Sequence, residues 1–472
     1  MAVGKVTEAL IRFALETKYE DIPEEVVRTQ KKSLLDSIGV MAAATTLEPA
    51  CAPFIGYAVD NSREEACTII GTGRGASPVL AAMANGALIH ALDYEDGHDG
   101  SKTHPNTASI PALLALSQSM ELGGRDMLAA MAVSGEIACR LKQSLRVNDL
   151  ACGWYSPPMF SAYGAVLGGA RALGLDQGRT RDALSICMTQ ILLPGQSACS
   201  GESVLRAVRD AFSAKATVFS LLMAQAGVTA RLDEPFEGKL GLFRMMANGD
   251  YDLRVILDGL GEQWECARLR YKAWPCCGTV HGALDAVLEL VNQYELRPDE
   301  VQEIHLEVNP NHLRVLEPYE VKYRPKSLAA AKFSMPFSLA LAVWNRDLRL
   351  DMYREEALKD ERLLQMAQKV TYCLRAGAVT GDDGGDDHIT VVLKTGRGSF
   401  RKEQFVSLGA PEKPLSEARL AKKFLDCMQF SRYRYNPEKI QKLPGEIKGL
   451  EQLPSVGAFV HRYFSAGEES GR

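Results

Sequence analysis

The sequence predicts a mainly α fold: a large all-α helical domain with an α+β lid domain inserted late in the chain. Three observations carry this. Apolar residues recur at helical spacing from about residue 5 to 260. Many of these segments are rich in alanine and glycine, as in Gly164-Ala-Val-Leu-Gly-Gly-Ala-Arg-Ala-Leu-Gly174, which permits close helix–helix packing. After Trp264 the texture changes to polar–apolar alternation, in Glu303–Val308 and Ile389–Lys394. A chain of 472 residues exceeds what one hydrophobic core usually holds. The expected division is 1–264 with 408–472 for the helical domain, and 265–407 for the lid.

Taken in order, Glu24 to Ala43 has apolar residues near a 3.6 period after an Ile-Pro start. Ala66–Ile70 reads as a short strand, followed by Gly71-Thr-Gly-Arg-Gly-Ala76. Ser77 to Leu92 is a small-residue apolar helix that Ser77 can cap, with Pro78 at its first position. Further helices are expected around 107–121, 125–143, 159–173, 179–192 and 210–226. In the lid, helices are expected at 278–294 and 327–344, and Ile389–Lys394 can pair with Gly398–Ser407 across the Thr-Gly-Arg-Gly turn. Helix resumes after Ser416, and only the last few residues read as disordered.

Composition excludes several function classes. Hydrophobic content of 46% and charged content of 24% are ordinary for a globular protein. A net charge of −5 gives no basis for nucleic-acid or anionic-membrane binding. No run of roughly 18 apolar residues occurs and the start lacks a signal-peptide pattern, so a cytoplasmic location is expected. The eleven cysteines are scattered and form no CxxC pair. Disulfide-framework, structural-zinc and iron–sulfur readings are correspondingly poor.

The densest chemistry lies in His90-Ala-Leu-Asp-Tyr-Glu-Asp-Gly-His-Asp-Gly-Ser-Lys-Thr-His-Pro105. It holds three of the eight histidines and four carboxylates, Asp93, Glu95, Asp96 and Asp99. Carboxylates just past a helix C-terminus face an unfavourable dipole, so propensity does not explain them. Acid–base chemistry is one reading. A divalent ion held by His98, His104 and Asp93 or Asp96 is another, and a solvated acidic loop is the bland one. A second constellation is Arg270-Tyr-Lys272-Ala-Trp-Pro-Cys276-Cys277-Gly-Thr-Val-His281, with a helix starting near Gly278 or Thr279. The positive end of that helix favours a neutral, basic His281 and can activate Cys276 or Cys277 as a thiolate. The bland alternative is that Trp274-Pro275 packs a domain crossing. The third is Lys215, a lysine interrupting an apolar helix, which either snorkels to water or meets an anion. Two other patterns are weak. Gly71–Ala76 fits a dinucleotide-binding glycine pattern, but no second strand ends in an acidic residue at the needed distance. Gly381-Asp-Asp-Gly-Gly-Asp-Asp-His388 lacks the spacing of a calcium loop.

Together these segments resemble the MmgE/PrpD family along nearly the whole chain. Asn85-Gly86, His90-Ala-Leu-Asp93-Tyr-Glu-Asp96 and Thr103-His104-Pro105 are similar to one family signature. Ser213-Ala-Lys215-Ala with Phe236-Glu-Gly-Lys-Leu-Gly241, then Lys272-Ala-Trp-Pro275-Cys-Cys277-Gly-Thr-Val-His281, then Ala331-Lys-Phe-Ser334-Met-Pro336-Phe, resemble three more in the same order. The resemblance implies an all-α domain with an α+β lid, commonly a homodimer with its site in the cleft, acting on small polycarboxylates with no organic cofactor. It puts active-site positions at Asp93, His104, Lys215, Lys272 and His281. Two departures stand out. Gly97 replaces a frequent threonine, and Tyr155 stands where a histidine is often found.

On that basis the expected reaction is a 2-methylcitrate dehydratase-like elimination of water from a hydroxy di- or tricarboxylate. His104 and His281 would act as the acid–base pair, with Asp93 as orienting group or base and Tyr155 as proton donor. Lys215 and Lys272 would bind substrate carboxylates, and no metal is expected. Decarboxylation of a cis-aconitate-like acid and epimerisation of a small dicarboxylate are the enzymatic alternatives. A catalytically inactive small-acid-binding relative is the non-enzymatic one.

Overall fold

The periodic segments form helices over Glu24–Leu47, Pro78–His90, Asn106–Ser119, Gly124–Gln143, Pro157–Ala172, Gln177–Met188 and Asp210–Gln225. The computed structural model describes residues 6–199, 203–375 and 388–466. The calcium-like stretch Gly381–Asp387 and the C-terminal residues read as disordered lie outside the described residues. The fold is mainly α with an α+β part. The chain divides into two units, Met1–Leu269 with Glu417–Arg472, and Arg270–Ser416.

In the first unit the Pro78–His90 helix is central. Every residue from Ala81 to His90 is buried, the mark of a helix apolar on all sides. Asn106–Ser119 and Asp210–Gln225 pack against it, and Gly124–Gln143 packs against Pro157–Ala172. Glycine sets these distances. A Cβ on Gly164 would stand 2.2 Å from the Ser134 carbonyl oxygen. A Cβ on Gly86 would stand 2.7 Å from that of Asp210 and 3.0 Å from Ala211 Cα. Gly86 thus brings the start of the Asp210–Gln225 helix against the end of the helix that carries His90. Ser77 occupies the N-cap of the Pro78–His90 helix, but its side chain does not cap it. The Ser77 hydroxyl instead receives a long hydrogen bond from Ser62 (3.5 Å), whose oxygen also accepts the Ser77 backbone N–H at 2.8 Å.

The glycine pattern at 71–76 is a hairpin turn. Cys67–Ile69 pairs antiparallel with Arg74–Ala76, whereas a dinucleotide-binding unit needs a parallel crossover. Asn85 fixes the hairpin from the central helix: Oδ1 accepts the Ile70 N–H and Nδ2 donates to the Thr68 carbonyl, both at 2.9 Å. That is the structural use of the Asn85-Gly86 pair. After the second unit the chain returns as Glu417–Met428, Pro437–Ile447 and Val456–Phe464. The first of these packs on Glu24–Leu47.

The second unit is built on a four-stranded sheet in the order Val370–Leu374, Val301–Val308, Ile389–Thr395, Gly398–Gln404. The first pair is parallel and the other two are antiparallel. Val301, Ile304, Leu306 and Val308 are buried, and the helix His281–Gln293 packs on the two C-terminal strands. Two features differ from the sequence expectation. Val370–Leu374 is an additional edge strand. The helix expected over 327–344 is two helices, Leu328–Lys332 and Met335–Asn345. Ser334 separates them because its hydroxyl caps the second, accepting the Phe337 N–H at 3.0 Å, with Pro336 in the first turn. Among the described residues, no single helix is long and apolar enough to cross a membrane.

Candidate active site

The Pro78–His90 helix ends by turning sharply. Asp93 donates its N–H to the His90 carbonyl at 2.9 Å and adopts φ of 52°, a left-handed conformation that aspartate tolerates better than most residues. The loop is closed further on by the His98 N–H donating to the Thr103 carbonyl at 2.8 Å. His104 then arrives just before the Asn106–Ser119 helix. This path sets His90 and His104 edge to face, with ring centroids 4.9 Å apart.

Glu95 joins them. Its Oε1 lies 2.5 Å from His90 Nδ1 and 2.9 Å from His104 Nδ1. His104 Nδ1 is also 2.9 Å from the Asp96 carbonyl oxygen. Facing two acceptors, His104 Nδ1 carries the ring proton and Nε2 becomes the basic nitrogen. The His104 side chain is 22% exposed, against 2% for His90, so His104 is the histidine a ligand can meet. Burial and the nearby Arg209 charge hold the His90 pKa below its ordinary value, against the opposing pull of Glu95.

The rest of the loop is anchored. Asp96 is fully buried and accepts from Asn106 Nδ2 at 2.8 Å and from Ser33. Burial raises its carboxyl pKa despite those hydrogen bonds. Lys423 donates to the Tyr94 carbonyl at 2.7 Å and pairs with Asp36 at 2.7 Å. Burial pushes the Asp36 carboxyl up to about 6 against the attraction of Lys423. His98 points elsewhere, toward Ser101 (2.9 Å) and Glu265 (3.5 Å). Among the described residues, the donor set compact enough to hold a divalent ion is His90, Asp93, Glu95 and His104, whose ligand atoms lie within 4.8 Å of one another. It is not the set built on His98.

Asp93 and His104 are both in this cluster, and Glu95 adds a carboxylate oxygen 2.9 Å from His104 Nδ1. Gly97 lies beside them, and a Cβ there would sit 3.4 Å from His104 Nδ1. Tyr155 is half-buried, and its ring lies 4.5 Å from the Arg209 guanidinium carbon. Lys215 is half-buried on the Asp210–Gln225 helix. No hydrogen bond or ion pair joins it to the His90–His104 cluster among the described residues.

Lys272 and His281 belong to the second unit and are both buried. Their segment is clamped there. The Tyr271 N–H donates to the Gly409 carbonyl and the Cys277 N–H to that of Lys332, each at 3.0 Å. Trp274 Nε1 donates to Asp285 Oδ1 at 2.8 Å. A 3-10 turn over Gly278–Val280 leads into the helix that His281 opens. Cys276 and Cys277 are buried with it.

His90, Glu95 and Arg209 are not among the site positions expected from the sequence. The signal for Arg209 was an Arg-Asp pair at the start of an otherwise apolar helix, and both residues are buried.

The chain matches the MmgE/PrpD N-terminal domain over residues 8–254 and the MmgE/PrpD C-terminal domain over residues 274–442. The protein belongs to the MmgE/PrpD family. It is 26% identical to a cis-aconitate decarboxylase of Aspergillus terreus over 411 residues, covering 80% of this chain and 82% of that one. It is 24% identical to the human cis-aconitate decarboxylase over 476 residues, covering 96% and 93%. A cis-aconitate decarboxylase-like protein of Aspergillus oryzae is 27% identical, covering 78% and 79%. The loop that brings His90, Asp93, Glu95 and His104 together falls within the N-terminal MmgE/PrpD domain. Lys272 lies two residues before the matched C-terminal domain, and His281 lies inside it.

Proposed function

We propose that this MmgE/PrpD protein is a lyase that releases carbon dioxide from a small unsaturated tricarboxylate of the cis-aconitate type, using its own side chains for proton transfer. The observation that carries the reading is the Glu95 carboxylate bridging His90 and His104, with His104 the more exposed ring. Relatives named for a reaction are decarboxylases. Carbon dioxide release therefore takes precedence over the elimination of water that the resemblance put first.

The chemistry asks for little more. A carboxylate on a carbon adjacent to a C=C bond leaves as carbon dioxide, and the electron pair of the broken C–C bond enters the allylic system. A remaining conjugated carboxylate takes up the charge. One proton then adds to carbon at the far end and the double bond shifts, so a tricarboxylate plus a proton becomes a dicarboxylate plus carbon dioxide. Protonated at Nε2, His104 is the proton donor. Glu95, on the opposite nitrogen, stabilises the imidazolium and fixes the ring. Asp93 borders the same space and orients or recharges the pair. Cationic groups stabilise the charge that builds on the remaining carboxylates, the role assigned to Lys272. His281 is assigned a second proton-transfer role.

Incubation with cis-aconitate, citrate and methylcitrate, each followed by NMR and by carbon dioxide capture, tests the reaction class. Stoichiometric carbon dioxide and a dicarboxylate from cis-aconitate support the reading. Water loss from citrate or methylcitrate without carbon dioxide overturns it in favour of a dehydratase. Activity lost to a chelator and restored by a divalent ion would reassign the four-residue cluster as a metal site.

A further inference from the structure

We propose that Arg209, braced by the ring of Tyr155, binds a carboxylate group of the substrate. This deepens the reading above and rests on it for the ligand class. Arg209 is 2% exposed, and a guanidinium so placed is costly unless its donors are used. Among the described residues they are largely unused. Nη1 donates to the Arg206 carbonyl at 2.5 Å. Nε makes a long ion pair with the buried Asp210 Oδ2, at 3.7 Å, but has no hydrogen-bond partner. The remaining contact is the Tyr155 face at 4.5 Å, which fixes the plane of the group and competes for none of its N–H donors. What is left matches a carboxylate, two oxygens accepting from a planar pair of N–H donors.

Its place in the fold points the same way. The close approach that Gly86 allows sets Arg209, just before Asp210, against the helix carrying His90. The positive charge is near enough to depress the basicity of His90. A carboxylate on Arg209 would therefore lie against the helix that delivers His90 to the cluster. Lys215, six residues further along the chain, has no hydrogen bond or ion pair to the cluster among the described residues. Tyr155, which occupies a histidine position of the family pattern, acts here through its aromatic face and positions the arginine.

The test is a binding experiment that needs no turnover. Tricarballylate, a saturated tricarboxylate, and glutarate, which lacks its central carboxylate, are titrated by calorimetry into the wild-type chain, Arg209→Gln and Arg209→Lys. The wild type should bind tricarballylate more tightly than glutarate. Arg209→Gln should lose roughly 10- to 100-fold in tricarballylate affinity and most of that preference, with Arg209→Lys intermediate. Tyr155→Leu, which keeps the arginine but removes its brace, should weaken tricarballylate several-fold and covers the case in which Arg209→Gln fails to fold. Folded Arg209 variants that bind tricarballylate as the wild type does overturn the assignment, whatever the enzyme's reaction. A wild type that binds tricarballylate through Arg209 but releases no carbon dioxide from cis-aconitate keeps the assignment and overturns the decarboxylase reading. A wild type that binds neither acid overturns the assignment, while the decarboxylase reading stands or falls on carbon dioxide release from cis-aconitate.

Discussion

Glu95 and His104 meet at 2.9 Å, carboxylate oxygen to Nδ1, with the carboxylate fully buried and the imidazole partly open. The same oxygen is 2.5 Å from His90 Nδ1, so one buried carboxylate sets the tautomer and orientation of two rings. In the proposed mechanism Glu95 is a positioning residue, and it should act mainly through the basicity of His104.

Replacing Glu95 by Gln keeps the shape and removes the charge that favours the imidazolium. Turnover should fall by about 10²-fold. The limb of the kcat/KM profile that reports His104 should move to lower pH, because the imidazolium loses its counter-charge. A purely structural role for Glu95 would lower activity without moving that limb. The pH–rate profile of a folded Glu95→Gln variant decides between the two.

His104→Ala should lower turnover by roughly 10² to 10⁴ while the chain stays folded. Lys272→Ala, in the second unit, should also lower turnover by orders of magnitude. Circular dichroism and steady-state kinetics on both variants check this. Near-normal rates in both, with folding confirmed, would remove these residues from the mechanism.

Burial and Arg209 hold the folded-state pKa of His90 below its unfolded value of about 6.5. The unfolded chain then takes up this proton first as pH falls, so the contribution of a neutral His90 is present above about pH 6.5 and lost as pH drops below it. Urea unfolding of the wild type and of His90→Asn between pH 5 and 7.5 tests the sign. The wild type should lose stability on acidification more steeply than the variant, and parallel curves would contradict the assignment.

Gly86→Ala places a methyl group 2.7 Å from the Asp210 carbonyl oxygen, a backbone atom that cannot move aside cheaply. The substitution should cost about 1–3 kcal/mol and, by displacing Arg209, weaken tricarballylate binding. Thermal unfolding and calorimetry on the variant measure both effects.

Much of this was legible in the sequence, because helical periodicity, proline starts and small residues act locally. The helices from Glu24 to Gln225 and the strand pair across Thr395–Gly398 follow from them. Val370–Leu374 was not legible: Thr371, Cys373 and Leu374 keep appreciable exposure on this edge strand, so it carries no clean apolar alternation. The break at Ser334 could have been read from its Ser-Met-Pro order, which caps a new helix. Within the site, the loop's acids and histidines were visible, but not their division of labour. Asp93, Glu95 and Asp96 are alike in composition, and it is the path of the folded loop, with its left-handed turn at Asp93, that brings Glu95 to the imidazoles and Asp96 to Asn106 and Ser33. Arg209 was hidden for another reason. Its neighbours Tyr155 and His90 are distant in sequence and meet only after the helices pack.

The proposed reaction ends in proton delivery by His104 to a carbon that has just lost carbon dioxide. It is tested most directly by reacting cis-aconitate with the purified protein in deuterated water and following the mixture by ¹H and ¹³C NMR. The wild type should form carbon dioxide and a dicarboxylate carrying one deuterium at the protonated carbon, and His104→Ala should suppress both. Carbon dioxide release that His104→Ala leaves unchanged would contradict it, as would deuterium exchange or water addition with all three carboxylates retained.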